Sequence, residues 1–178
     1  MHYTATYPSP LGVMTLASDG DRLTGLWFNG QKHFGLTLDA DHEPRHSLHV
    51  FDLTRRWLDS YFSGQMPDFT PPINLLTTPF GTAVCNMLCS IPFGETTTYG
   101  AIARRIARDR GLAHFSAQAV AGAVARNPIS IIIPCHRVVG SDGSLTGYAG
   151  GLDRKMKLLE IERNTLKGLK GQLYCTIA

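Results

Sequence analysis

Apolar positions in the first thirty residues come in short alternating bursts. Val13-Met14-Thr15-Leu16-Ala17 predicts a strand, Ser18-Asp19-Gly20-Asp21 a turn, and Leu23-Thr24-Gly25-Leu26-Trp27-Phe28 a second strand closed by Asn29-Gly30. The period then changes. Between His46 and Phe62, the residues Leu48, Phe51, Leu53, Trp57, Leu58, Tyr61 and Phe62 recur at close to helical spacing, and Gly64 stops the pattern. This is a small sheet plus one helix. The Pro- and Thr-rich stretch 64–78 predicts a connector. It divides the chain into an N-terminal α/β unit, 1–76, and a C-terminal unit, 77–178.

The second unit reads as mostly helical. Thr78 can cap a helix with Pro79 at its first position; the helix runs through Val84, Met87 and Leu88 to Ile91, and Pro92-Phe93-Gly94 ends it. Cys85 and Cys89 are four apart on it, a spacing that fits core packing. Thr98 can cap a helix through Ile102, Ala103 and Ile106, which Gly111 breaks. Ser116 can cap another made almost entirely of Ala, Gly and Val over 117–125. Together they predict a helix-turn-helix whose small second helix allows close approach to a partner. Ile129-Ser130-Ile131-Ile132-Ile133 predicts a buried strand, ended by Pro134.

Charge sharpens this division. Residues 1–78 hold five Lys+Arg against eight Asp+Glu, while residues 79–178 hold twelve against six. A basic second unit points to a polyanionic partner. No apolar run reaches the roughly 18 residues of a membrane span. Met1-His2-Tyr3-Thr4 does not lead into a secretory signal. Four irregularly spaced Cys do not make a disulfide framework, so a reducing, cytoplasmic setting is expected. His33, His42, His46 and His49 lie in a polar loop and at a helix start with no partnering Cys, so no metal is expected there.

One cysteine is placed for chemistry. Cys135 follows the Ile-rich run and precedes His136 and Arg137. A thiol beside an imidazole and a guanidinium is expected to have a lowered pKa, and the thiolate is the nucleophile. Neighbours on an extended segment point to opposite sides, so His136 would act on Cys135 through water or local backbone geometry. An inert buried cysteine is the alternative.

The block Asn127-Pro128-Ile129-Ser130-Ile131-Ile132-Ile133-Pro134-Cys135-His136-Arg137-Val138-Val139-Gly140 resembles the active-site signature of the O6-alkylguanine-DNA alkyltransferases. Ile91–Gly100 is similar to that family's loop before its helix-turn-helix. Leu145-Thr146-Gly147-Tyr148-Ala149-Gly150-Gly151-Leu152 is similar to its substrate-pocket loop, and 155–162 to its following helix. Ser9-Pro10-Leu11-Gly12 and its two strands resemble the family's N-terminal region. The resemblance implies a ribonuclease-H-like α/β N-terminal region and a mostly α C-terminal domain with a helix-turn-helix.

It also implies a function. The Cys135 thiolate would take the alkyl group from an O6-alkylguanine, chiefly O6-methylguanine, flipped out of double-stranded DNA. The thioether product is stable, so each molecule would act once. His136 would be the water-bridged base, Glu162 the carboxylate behind it, and Tyr99 the donor to the departing guanine. Asn127 would fix the turn behind Cys135, Tyr148 and Gly150 would belong to the pocket, and backbone groups of Val138 and Ala149 would read the base edge. Ala117, Gln118 and Ala119 would enter the minor groove, with Arg104, Arg105, Arg126 and Arg137 on DNA. The implied protein is a monomer with no cofactor and no membrane partner.

Two positions depart from the family pattern. Gln118 stands where an arginine commonly fills the gap left by the flipped base, and the segment from Tyr99 to Gln118 is longer than usual. Cys85 stands where an aromatic residue such as Trp often sits. The competing readings are a non-catalytic sensor of alkylated DNA or transcription regulator, a Cys–His hydrolase, which would need an oxyanion hole, and a redox or zinc site, which lacks a Cys-x-x-Cys pair.

Overall fold

The computed structural model describes residues 1–175, with side chains as far as Leu169. Strands β1 (His2–Ser9), β2 (Gly12–Ser18), β3 (Leu23–Phe28) and β4 (His42–Pro44) form one sheet in the order β3-β2-β1-β4. The two hairpins are antiparallel, and β4 joins β1 in parallel. The sequence pattern missed β1, whose buried positions His2, Ala5 and Tyr7 do not alternate strictly, and β4, whose three exposed residues carry no apolar alternation. Helix α1 (His49–Phe62) lays Val50, Phe51, Thr54, Trp57, Leu58 and Tyr61 into the core. Those positions make one helical face.

All six residues of β3 are buried. A fully buried strand needs its outer edge paired as well as both faces covered, because an orphaned buried N–H or C=O is costly. Two segments do this. The connector meets the start of β3, where Leu23 donates to Pro72 O at 2.8 Å and Asn74 donates to Leu23 O at 2.9 Å. Farther along, Leu26 donates to Pro128 O at 2.9 Å and Ser130 donates to Leu26 O at 2.8 Å. The N-terminal sheet is therefore the backing on which the segment before Cys135 is laid.

The helical unit follows. In α2 (Pro79–Cys89), Thr78 Oγ1 accepts from the Gly81 N–H at 3.0 Å. A short strand, β5 (Thr97–Thr98), leads into α3 (Tyr99–Asp109), capped by Thr98, and Ser116 caps α4 (Ala117–Ala125). Helices α3 and α4 pack together as the expected helix-turn-helix, with Val120 and Val124 turned inward. Cys85 is buried as core packing requires, but Cys89 is exposed. β6 (Val138–Val139) pairs with β5 in parallel, and α5 (Leu152–Cys175) extends well past the 155–162 stretch. The side chain of Cys175, expected to be exposed and without a catalytic role, lies outside the described residues.

The predicted strand at 129–133 does not form. Ile129 makes a single bridge to Leu26 and the chain then turns, with Ile131 at φ +70°. Two features reverse the propensity. Pro128 and Pro134 lack the N–H groups a ladder needs. The Asn127 side chain takes the bonds a partner strand would have made: its Nδ2 donates to Ile133 O at 2.8 Å and reaches Ile129 O at 3.2 Å, while its Oδ1 accepts from the Ile129 N–H at 3.0 Å. A β-branched residue in the left-handed region costs about 1–3 kcal/mol and persists only when its surroundings over-determine it.

Candidate active site

Residues Cys135–Arg137 form one turn of 3-10 helix directly after this braced turn, not the extended segment expected. Cys135 Sγ lies 3.1 Å from Asn127 Nδ2. Burial pushes the Cys135 thiol up, outweighing the Asn127 hydrogen bond, the Lys155 charge and the local N–H groups that favour the thiolate. The expectation of a lowered thiol pKa is thus reversed: a fully enclosed sulfur loses more from leaving water than its neighbours return.

His136 is completely buried beside it. Its Nε2 lies 2.6 Å from Glu162 Oε1. Burial lowers the imidazole pKa, against the pull of Glu162 and with the help of the Arg137 and Lys155 charges. The ring is therefore neutral near pH 7. A neutral ring facing a carboxylate through Nε2 carries its proton there, so Nδ1 is the basic nitrogen. Nδ1 is buried and has no hydrogen-bond partner among the described residues.

Glu162 is the hub. Arg137 donates to it through Nε at 2.9 Å and Nη2 at 3.1 Å, the Gly94 N–H donates at 2.8 Å, and the Tyr61 hydroxyl donates at 3.0 Å. Burial would raise its pKa, but the His136 hydrogen bond and the Arg137 hydrogen bonds and charge prevail and lower it to about 2. Gly94 sits at φ +77°, and a Cβ there would collide with Leu166. Glycine is what lets this N–H reach the carboxylate.

This arrangement corrects one assignment. Arg137, expected on the DNA surface, is 8 % exposed, and its Nη1 donates to Ile91 O at 2.7 Å. Its guanidinium belongs to Glu162.

A cavity of about 150 Å³ opens beside the sulfur, bordered by Cys135, Tyr99, Tyr148, Ala149, Lys32 and His33, with small residues of α4 opposite. A space of roughly this volume accepts one six-membered aromatic ring. The Tyr148 hydroxyl is buried with no hydrogen-bond partner among the described residues. Tyr99 donates to Thr146 O at 3.1 Å and Gly147 O at 3.2 Å. Gly150 is buried, and a Cβ there would meet Tyr148 Cε1 at 2.6 Å. Gly150 thus lets the loop close around that tyrosine. Val138 does not border the cavity; its carbonyl accepts from Lys155 Nζ at 2.6 Å.

On the outer face, Ala117, Gln118 and Ala119 are exposed at the start of α4, as are Arg104, Arg105 and Arg126. Arg105 reaches Ser90 Oγ at 3.3 Å, and Arg126 folds back on Gly122 O at 3.3 Å. Among the described residues, no group of three or more His, Cys, Asp or Glu could hold a metal ion, and no helix is long and apolar enough to cross a membrane.

Comparison with known proteins decides the family. Residues 79–164 match the 6-O-methylguanine DNA methyltransferase DNA-binding domain, and residues 2–75 match the ribonuclease-like domain of the same family. The chain belongs to that family. It is 42% identical over 160 residues to the methylated-DNA–protein-cysteine methyltransferase of Methanosarcina barkeri, covering 89% of this chain and 96% of that one. With the Haemophilus influenzae protein of the same name it is 38% identical, covering 90% and 86%. Mycobacterium tuberculosis OGT, solved in complex with DNA, superposes with a TM-score of 0.78 at 37% identity, covering 92% of this chain and 93% of that one.

Within this 6-O-methylguanine DNA methyltransferase fold, four contributors to the site escaped the sequence reading. Tyr61 looked like one more apolar position on α1. Lys155 was legible only as the first residue of a helix stretch, but it is buried and its ammonium bridges Val138 O, Thr146 O at 2.7 Å and Gly147 O at 3.2 Å, with burial lowering its pKa to about 8. Lys32 and His33 come from the N-terminal unit, and the Lys32 N–H donates to Ala149 O at 3.1 Å. His33 stands at φ +58°. No local pattern marks residues that meet the site across the fold.

Proposed function

We propose that this chain removes the alkyl group from O6-alkylguanine, chiefly O6-methylguanine, in double-stranded DNA and keeps it on Cys135. The observation that carries the reading is the buried His136–Glu162 pair in the same turn as Cys135, whose sulfur borders a cavity of about 150 Å³, on a unit matching the family's DNA-binding domain. The thiol proton passes through water to His136 Nδ1, and Glu162 holds the resulting imidazolium. Sulfur attacks the saturated alkyl carbon, an S–C bond forms, and the C–O6 bond breaks. Guanine leaves as an anion that takes up a proton, and His136 returns one to solvent. The thioether does not hydrolyse, so each molecule reacts once.

A raised thiol pKa suits this scheme. The sulfur stays protonated until a base occupies the cavity. Tyr99 turns its hydroxyl from the loop carbonyls toward the leaving guanine, and the N–H and C=O groups of the pocket loop read the base edge.

A sulfur buried this deeply cannot reach an atom inside a stacked duplex, so the base must be everted. The small exposed end of α4 fits a minor groove, with Gln118 filling the gap left in the stack and Arg104, Arg105 and Arg126 on phosphates. The division at 1–76 and 77–178 is then functional: the second unit holds DNA and sulfur, and the first backs them. The protein acts as a monomer in the cytoplasm without a cofactor.

The test is intact mass after incubation with a duplex oligonucleotide carrying O6-methylguanine. Transfer adds one methylene's net mass to the Cys135 peptide, and Cys135→Ala abolishes it. Binding without any mass change would instead support a non-catalytic lesion sensor. Gln118→Ala should slow repair of duplex DNA more than reaction with free O6-methylguanine; equal rates on duplex for both proteins would remove the stack-filling role.

A further inference from the structure

Tyr61 lies on α1 in the N-terminal unit, yet its hydroxyl enters the Glu162–His136 pair. The residue is fully buried. Its ring stacks on Trp57 at 5.4 Å and meets Phe62 and Phe93 edge-on at 5.5 and 6.0 Å, packing that leaves the hydroxyl one direction. It donates to Glu162 Oε1 at 3.0 Å, the oxygen that also takes the His136 N–H at 2.6 Å. The alternatives, Leu158 O and His136 Nε2, are both at 3.5 Å, so the carboxylate is its partner.

We propose that Tyr61 is a positioning residue for alkyl transfer, setting the basicity of His136 by sharing the charge on Glu162 Oε1. The proposal rests on the reading of His136 as the base for Cys135. A carboxylate oxygen divides its acceptor strength among its donors. Without the Tyr61 hydroxyl, more of that strength falls on the His136 N–H, and the imidazole holds an added proton more tightly.

The other groups facing the pair are fixed. Arg137 and the Gly94 N–H bind Glu162; Arg137 and Lys155 oppose a charge on His136, Cys135 adjoins it in the same turn, and Tyr148 acts on Tyr61 only as a weak, distant phenol. A phenylalanine at position 61 alters none of them directly.

The sign follows. Transfer needs His136 neutral, because a protonated ring cannot accept the thiol proton. A more basic His136 is blocked at higher pH, so the acid limb of the rate profile moves up.

Single-turnover methyl transfer from duplex O6-methylguanine DNA, measured with the full chain across acid to neutral pH, tests this. Tyr61→Phe should run about threefold more slowly on the acid side of the limb and within about twofold of wild type on the plateau, as when the limb moves up by about half a pH unit. Tyr61 replaced by 3-fluorotyrosine, a more acidic phenol of nearly the same size, should move the limb down. A merely structural tyrosine would lower the rate equally at every pH, and that result overturns the proposal. So does an unmoved limb in the fluorotyrosine protein, which decides the matter if Tyr61→Phe fails to fold. His136→Gln separates the two levels. If wild type has an acid limb that His136→Gln abolishes while the Tyr61 variants leave it in place, Tyr61 alone is wrong. If His136→Gln leaves the profile unchanged, the base reading falls and takes Tyr61 with it.

Discussion

Arg137 grips Glu162 with two N–H groups, Nε on Oε2 at 2.9 Å and Nη2 on Oε1 at 3.1 Å, inside the protein core. The pair joins the turn after Cys135 to the middle of α5 and leaves both carboxylate oxygens with further donors. Removing one charge strands the other. Glu162→Gln should therefore lose about 3–5 kcal/mol of stability, the cost of breaking a buried pair from one side. Urea unfolding at neutral pH measures it. A loss under about 1 kcal/mol would mean that water reaches Arg137.

The same carboxylate makes the protein acid-sensitive. Its folded pKa of about 2 lies below its ordinary 4.5, so its stabilisation is complete above pH 4.5 and drains away as pH falls toward 2. The full amount is on the order of 3 kcal/mol. His136 acts in the same direction, because its folded pKa is lowered: below its ordinary 6.5 the unfolded chain binds a proton that the folded ring refuses. Urea midpoints should fall from pH 7 to pH 3, less steeply in Glu162→Gln. Identical slopes in both proteins would contradict the assignment.

Asn127 holds Ile131 in its left-handed conformation and touches the reactive sulfur at 3.1 Å. Asn127→Ala should cost about 1–3 kcal/mol, since buried carbonyls lose their donor. It should also raise the pH at which Cys135 reacts with iodoacetamide, because one of the groups favouring the thiolate is gone. Asn127→Asp should do so more strongly, by placing an anion against the sulfur. An unchanged alkylation profile in both variants would show that the amide braces the turn only.

The wall formed by Lys32 and His33 limits the room beside Cys135. Glycine occupies φ +58° without the roughly 1–2 kcal/mol that the left-handed region costs other residues. His33→Gly should thus fold at least as stably as wild type and enlarge the cavity. Reaction with O6-benzylguanine should quicken several-fold relative to O6-methylguanine. A constant ratio of the two rates would place the size limit elsewhere, in the loop around Ala149.

Elements whose signals are local can be read from the chain alone. The β2–β3 hairpin, α1, the Thr78, Thr98 and Ser116 caps and the helix-turn-helix all follow from period, cap and turn chemistry within a dozen residues. The Cys-His motif and the pocket loop were legible as a resemblance. Tertiary structure decided the rest. It turned 129–133 away from a strand, because Asn127 and two prolines outweigh β-branched propensity. It drew Arg137 inward to a carboxylate twenty-five positions away, and it raised the thiol pKa that the neighbouring His and Arg had promised to lower. It also brought Lys32, His33 and Tyr61 to a site built mainly by the other half of the chain. Burial, hydrogen-bond partners and pKa depend on which surfaces meet after folding, and a linear pattern records only which face of its own element a residue occupies.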